Sequence, residues 1–501
     1  MPKNSTTTPT HTEWHPRNKD IKSYFHFDAK LSEGSLKKLA LDNDAVAKHA
    51  FMPLIRFKEK WLKFRKNGAK KIKSRPIRYA CRKDAIIYAY HRYNISIHYE
   101  KYLKEKGIEN IPIAYRKISK ENGGNKSNIE FAKDAFDFIR ATGDCDVTIV
   151  DISSFFESLD HNLLKVAWQK IIGRKLNAAE TAVFKSITKY SVVDIKPLFD
   201  RLELFERAGT TTKDKRKRKI DLLKDQHFKR VTERGEFKNK VCGGDPKLPS
   251  LIQKHNLNFG IPQGTPISDI LANIYLIDFD VKLARWIRNK NGFATRYSDD
   301  IIIIIPKSEN LSFDSAFDYL VKLINNYGSE LEIKPSKTAI GRFINTKSGQ
   351  IYTHIKGDSC QNGIEYLGFQ FNGEYVSLKN STLSNAWRKL KKRAHGWAKK
   401  YVKRNRNRGD LWLSTNANLQ DKCTETLRTM TLKQSKDAET SDWTFISYVR
   451  RAEKSFSDYN TKFPSQTRKY KKEAYRIYEE ALTEAIGRHG KDKYLEQGGK
   501  L

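Results

Sequence analysis

The sequence predicts an α+β fold built on an antiparallel sheet, with a helical C-terminal lobe. Three observations carry that expectation. Residues 147–150 (VTIV) have the pattern of a short buried strand running into Asp151. FATRY and IIIII flank an acidic Ser-Asp-Asp turn like the two arms of a hairpin. Beyond residue 380, apolar residues recur at three- and four-residue spacing with lysines and arginines between them.

At 501 residues the chain exceeds one typical domain, so two or three lobes are expected. Lysine and arginine number 95 against 58 aspartates and glutamates, and the formal surplus of +37 recurs along most of the chain. Such a field points to a polyanionic partner, and the interleaved Trp, Tyr and Phe favour nucleic acid over a membrane surface. The five cysteines, Cys81, Cys145, Cys242, Cys360 and Cys423, form no CxxC pair, which argues against a zinc site or a disulfide framework. No apolar run reaches membrane-spanning length and the N-terminus lacks the apolar core of a signal peptide, so a cytoplasmic protein with no membrane partner is expected.

Along the chain, residues 1–20 are polar and Thr-rich and read as a loose arm. Leu36 to Leu103 is largely helical in pattern, broken by the basic patch KKIKSRPIR, and an amphipathic helix passes through FAKDAFDFI. After the strand ending at Asp151, residues 174–255 form a long connection with a helix around 179–207 and the basic run TTTKDKRKRK. Asp269 to Trp286 reads as a helix that leads into the acidic hairpin. Ile364 to Phe371 and Tyr375 to Leu378 make a second hairpin around Asn372-Gly373, a strong turn signal. A helix over 383–404 opens the C-terminal lobe, with Trp387 and Trp397 on its packed face, and a domain boundary is expected near 378.

A strand-end carboxylate beside a hairpin tip bearing Asp-Asp is the donor set that two hard divalent cations need for phosphoryl transfer. Alone, YSDD would read as a polar turn. Its company changes the weighing. IVDISSFFESLDH (149–161), GIPQGTPISDILANIYL (260–276), RYSDD (296–300), LEIKPSKT (331–338) and EYLGF (365–369) resemble, in order, motifs A to D and the primer-grip segment of bacterial reverse transcriptases. RPIRYACRKD (75–84) and AYRKISKENGGNKSN (114–128) are similar to the fingers segments, less specifically.

The resemblance implies a right-hand polymerase: fingers over 21–145, palm over 146–378 with a basic insert at about 174–255, and a helical thumb and C-terminal extension over 379–501. It implies Mg²⁺ as cofactor, two ions with Mn²⁺ as a substitute, held by Asp151, Asp299, Asp300 and the Ile152 carbonyl. Lys337 would donate a proton to the leaving pyrophosphate. Phe156, backed by Phe155, would crowd a ribose 2′ hydroxyl and select dNTPs, while Gln263 and Gly264 line the nucleotide pocket. Arg116 and Lys117 would meet the triphosphate. Tyr366, Leu367 and Gly368 would support the primer end, and Arg388 and Lys392 of the thumb helix would bind backbone phosphates.

No endonuclease pattern follows residue 380, and the Val-Thr-Gly and Asn-Ala-x-x-His elements of retron enzymes are missing. What remains resembles the unknown-group and abortive-infection reverse transcriptases. That resemblance implies cDNA synthesis on a companion noncoding RNA in antiphage defence, in a homo-oligomer. The alternatives are a retron-like or group II intron-derived enzyme, and a non-catalytic palm serving as an RNA-binding scaffold.

Overall fold

The computed structural model describes residues 14–63, 71–121, 123–203, 230–232, 234–307, 312–333, 335, 338–422 and 445–496. The run TTTKDKRKRK, Lys337 and Cys423 lie outside the described residues. Residues 14–20 belong to the packed part of the chain: Trp14 is buried, its ring edge-on to Tyr90 at 5.2 Å, and Arg17 pairs with the buried Asp20. The helical pattern expected from Leu36 to Leu103 gives way to an antiparallel ribbon, β1 (Leu54–Lys63) and β2 (Lys71–Tyr79). Arg56, Lys58 and Lys60 recur at every second residue, the strand period carried by charges instead of apolar side chains. The basic patch is therefore β2. It leads into the helix Arg82–Lys106, and the expected amphipathic helix follows at Asn128–Thr142, opened by a Ser127/Glu130 capping box.

β3 (Cys145–Asp151) is the strand expected before Asp151. Beyond it, the helix expected over 179–207 is split. Ala178–Thr188 is helical, β4 (Ser191–Asp194) joins β1 in parallel, and a second helix covers Ile195–Arg201. The break is held by Arg56, which grips both carboxylate oxygens of Asp194 at 2.7 and 2.8 Å. β5 (Gln253–Lys254) extends this sheet.

The central sheet has the order β6-β7-β3-β8-β9 and is antiparallel throughout, with β6 (Phe293–Tyr297), β7 (Asp300–Pro306), β8 (Ala339–Thr346) and β9 (Gly349–Lys356). This is the palm-type sheet that the resemblance implies. β7 is internal, which explains its uninterrupted isoleucines: Ile301, Ile303 and Ile305 enter one core, and Ile302 and Ile304 enter another with Phe136 and Ile139.

β10 (Ile364–Tyr366), β11 (Phe369–Phe371) and β12 (Tyr375–Leu378) form the second hairpin with its short leading strand. The helix Asn380–Asn405 follows and packs on the helix Tyr470–His489. Trp387 rests 4.6 Å from Tyr470 and Trp397 5.5 Å from Tyr478, so both tryptophans serve packing. Between these helices the chain returns to the sheet. Val449, Ala452, Phe456 and Phe463 share a core with Phe136, Phe369 and Phe371, and β13 (Asn460–Thr461) pairs with β12. Among the described residues no helix is long and apolar enough to cross a membrane.

Candidate active site

The β6–β7 hairpin closes through two residues, Ser298 and Asp299, between the paired Tyr297 and Asp300. Ser298 takes φ 62°, the positive value that the first position of a primed two-residue turn demands. Asp300 lies directly opposite Asp151 across β7 and β3, and cross-strand partners have Cβ atoms about 4.5–5.5 Å apart. The Ile152 amide donates to the Asp299 carbonyl at 3.0 Å, fastening the turn to the end of β3. Asp151, Asp299 and Asp300 line one cavity of about 1030 Å³. Its donor set is carboxylate oxygen, which fits hard divalent cations such as Mg²⁺.

The fold brings most of the expected residues to this cavity. Phe156 lines it half-buried, its carbonyl taking the Ile261 amide at 2.7 Å, and Phe155 packs behind, 3 % exposed, with ring centres 5.9 Å apart. Gln263 lines it as well. Tyr366, Leu367 and Gly368 form the far wall. The Tyr366 hydroxyl is hydrogen-bonded to Thr295 at 2.8 Å, and Lys379 and Thr382, at the start of the long helix, donate to the Gly368 carbonyl. Arg388 and Lys392 are exposed four residues apart on that helix.

Other expectations need correction. Arg116 does not enter the cavity: its side chain is 4 % exposed and donates to both Glu100 oxygens and to the Pro112 carbonyl. Acceptors on its own loop and on the preceding helix claim the guanidinium. Lys117 is exposed and lies outside the lining. Among the described residues two cations line the cavity, Arg75 of β2 and Lys379, the latter paired with Glu365. Gly264 serves packing: at φ 116°, a Cβ there would come within 2.5 Å of the Arg78 carbonyl. Ile152 is wholly buried and outside the lining, and its amide holds the acidic turn.

Sequence reasoning also missed Arg296. It is fully buried and donates to both oxygens of the fully buried Asp280 at 2.7 and 2.6 Å, and to the Ser298 carbonyl at 3.1 Å. Burial works against its charge, and the attraction and hydrogen bonds of Asp280 outweigh that, raising the guanidinium above its ordinary value. Arg296 thus fixes the backbone of the acidic turn from behind.

Away from the cavity, His26, Asp28 and Cys81 place ligand-type atoms within 4.8 Å of one another, a spacing that could hold a metal ion. Each also has a protein neighbour. The Phe27 amide donates to His26 Nδ1 at 2.9 Å, so Nε2 carries the ring proton and faces the Tyr79 carbonyl at 3.3 Å. Asp28 accepts the Lys83 amide at 2.8 Å, and burial pushes the Cys81 thiol up.

Residues 169–371, two fifths of the chain, match the profile of the reverse transcriptase (RNA-dependent DNA polymerase) family. The chain therefore carries a reverse transcriptase domain. The matched span holds Asp299 and Asp300 and begins after Asp151, which the fold sets opposite Asp300. No curated protein matches. Among solved structures, the chain is similar to the telomerase of Candida albicans in complex with a fragment of telomeric RNA, at 12 % identity over 90 % of this chain and 66 % of that one, TM-score 0.34. It is also similar to the apo telomerase of Candida tropicalis, at 13 % identity over 86 % and 63 %, TM-score 0.36. The chain spans less than two thirds of the length of the first of these structural relatives, a truncated Candida tropicalis telomerase of which 53 % is covered.

Arg296→Met strands the Asp280 carboxylate in the core and is expected to cost about 3–5 kcal/mol of stability. Arg296→Met with Asp280→Leu is expected to cost less than Arg296→Met alone, as read from urea denaturation midpoints.

Proposed function

We propose that this chain is an RNA-directed DNA polymerase that copies a dedicated noncoding RNA in antiphage defence, in a bacterial cytoplasm. The observation that carries the polymerase reading is the convergence of Asp151, Asp299 and Asp300 on one cavity, with Asp151 and Asp300 paired across two strands. The defence assignment is supported by the resemblance of the ordered motifs.

On this reading residues 21–145 are fingers, 146–378 palm and 379–501 thumb with extension. Asp151, Asp299, Asp300 and the Ile152 carbonyl would hold two Mg²⁺ ions, which when bound stabilise the attacking and leaving oxygens of an in-line displacement. The chain's own groups do the rest. Arg75 binds the phosphates of the incoming nucleotide, where a guanidinium meets oxygens in a bidentate fork. Phe156 stands against the 2′ position of its sugar, and Gln263 borders the same pocket. Tyr366, Leu367 and Gly368 hold the primer terminus, with its 3′ hydroxyl toward the carboxylates. Lys337 is the candidate acid for the departing pyrophosphate. The exposed Arg388 and Lys392 bind duplex phosphates.

Asp299→Ala with Asp300→Ala is expected to abolish Mg²⁺-dependent primer extension on an RNA template while leaving the fold and RNA binding intact. A double variant that still extends primers would refute the assignment. Phe156→Ala is expected to raise rNTP incorporation relative to dNTP by roughly tenfold to a hundredfold, the scale on which a pocket discriminates one hydroxyl; competition between dNTP and rNTP in single-nucleotide extension measures it. RNA copurified from the native host is expected to be one discrete noncoding species, and sequencing that returned a group II intron or a branched retron RNA would overturn the defence reading.

A further inference from the structure

We propose that Tyr115 contacts the substrate: its ring packs against the incoming nucleotide and sets the affinity for it. The inference rests on the polymerase reading above.

Tyr115 has φ 62°, the left-handed region that residues with a Cβ rarely adopt and that is unfavourable for a bulky side chain. The surroundings hold it there from both sides. The Ala114 carbonyl accepts the Asn273 side-chain amide at 2.8 Å. The Tyr115 carbonyl accepts Arg92 at 3.3 Å, and Arg92 is itself held by Asp269 at 2.8 Å. Arg116 is locked to Glu100 and the Pro112 carbonyl. Two consecutive backbone carbonyls are thus held and the next side chain is anchored, and a strained conformation that neighbours over-determine marks a functional position.

The clamp aims the side chain. Ala114 is buried and Arg116 turns inward, while Tyr115 is 43 % exposed and lines the cavity with Arg75, Phe156 and the three aspartates. Its hydroxyl lies 3.3 Å from Ser298 Oγ, one residue before Asp299. A nucleotide entering here offers phosphates for Arg75 and a flat base for an aromatic face, and base–aromatic stacking tolerates any base. The competing role is structural, with the hydroxyl bracing Ser298 and the ring incidental.

The test uses the full chain on poly(rA) primed with oligo(dT), with dTTP and Mg²⁺, comparing Tyr115→Gly and Tyr115→Phe. Glycine relaxes the positive φ, so the melting temperature of Tyr115→Gly is expected to equal or exceed that of the wild type, whereas its KM for dTTP rises tenfold or more with kcat changed less than threefold. Tyr115→Phe keeps the ring and is expected to stay within twofold of wild-type KM. A wild-type KM in Tyr115→Gly overturns the proposal, as does a Tyr115→Phe defect equal to that of Tyr115→Gly; a lowered melting temperature in Tyr115→Gly overturns the strain argument. Should the wild type extend no primer, the polymerase reading fails instead. Equilibrium binding of dTTP, expected to weaken tenfold in Tyr115→Gly, then decides Tyr115 on its own.

Discussion

Arg296 and Asp280 are both wholly excluded from solvent, and a buried charge has to be paired and hydrogen-bonded for the fold to survive. Meeting that requirement gathers the site. Asp280 comes from the helix Ile277–Arg288, and Asn273, from the helix before it, accepts a further bond from the guanidinium. The Arg296 backbone exchanges hydrogen bonds with Ile111 and Ile113, and its side chain reaches forward to the Ser298 carbonyl. Three segments are thereby set around the acidic turn. Apolar residues of similar volume can match a buried ion pair in stability, so what this pair adds is a single arrangement of the turn. Asn273 extends the same network to Ala114, and so to the strained backbone at Tyr115.

The front of the turn faces the opposite electrostatic problem. The chain as a whole is strongly cationic, a field that draws in polyanions, yet six carboxylates line the cavity, Asp151, Asp299 and Asp300 among them. A phosphate drawn in by that field meets repulsion at the floor unless cations intervene, and a bound divalent ion becomes the largest local charge and reverses the sign of the site. On the proposed polymerase reading, divalent cations would let these carboxylates and Arg75 meet one polyanionic substrate together.

Elements whose signal is local were legible in the sequence. The acidic hairpin, the Asn372-Gly373 hairpin and the helix Asn380–Asn405 each declare themselves through turn chemistry or apolar period within a few residues. Elements that depend on distant partners were not. β4 exists because β1 lies beside it, with Arg56 reaching Asp194 across 138 positions, and inside its own window the segment reads as helix. The β1–β2 ribbon hides its period in charged side chains. The site divides the same way: the aspartates follow from strand, turn and motif order, whereas the destination of a cation is tertiary. Arg75 and Arg116 are indistinguishable as sequence; one lines the cavity and the other is consumed by Glu100.

The tail shows how the cavity and the cationic helix become one piece. That helix starts at the cavity wall, where Lys379 donates to the Gly368 carbonyl and pairs with Glu365 at 2.9 Å. Gln466, on the returning segment, takes the Leu378 amide at 2.8 Å and gives back to its carbonyl at 3.0 Å, occupying the strand edge as a neighbouring strand would. Asp458 and Tyr459 then bind Lys133, Arg140 and Asp137 on the helix behind the sheet. The 26 residues of the helix Asn380–Asn405 extend about 39 Å at 1.5 Å per residue, long enough to follow several base pairs. Because the return is pinned to the sheet, packing sets the distance from the proposed primer-supporting residues to the exposed cationic face, and on the proposed reading it would set the register of a duplex against the aspartates.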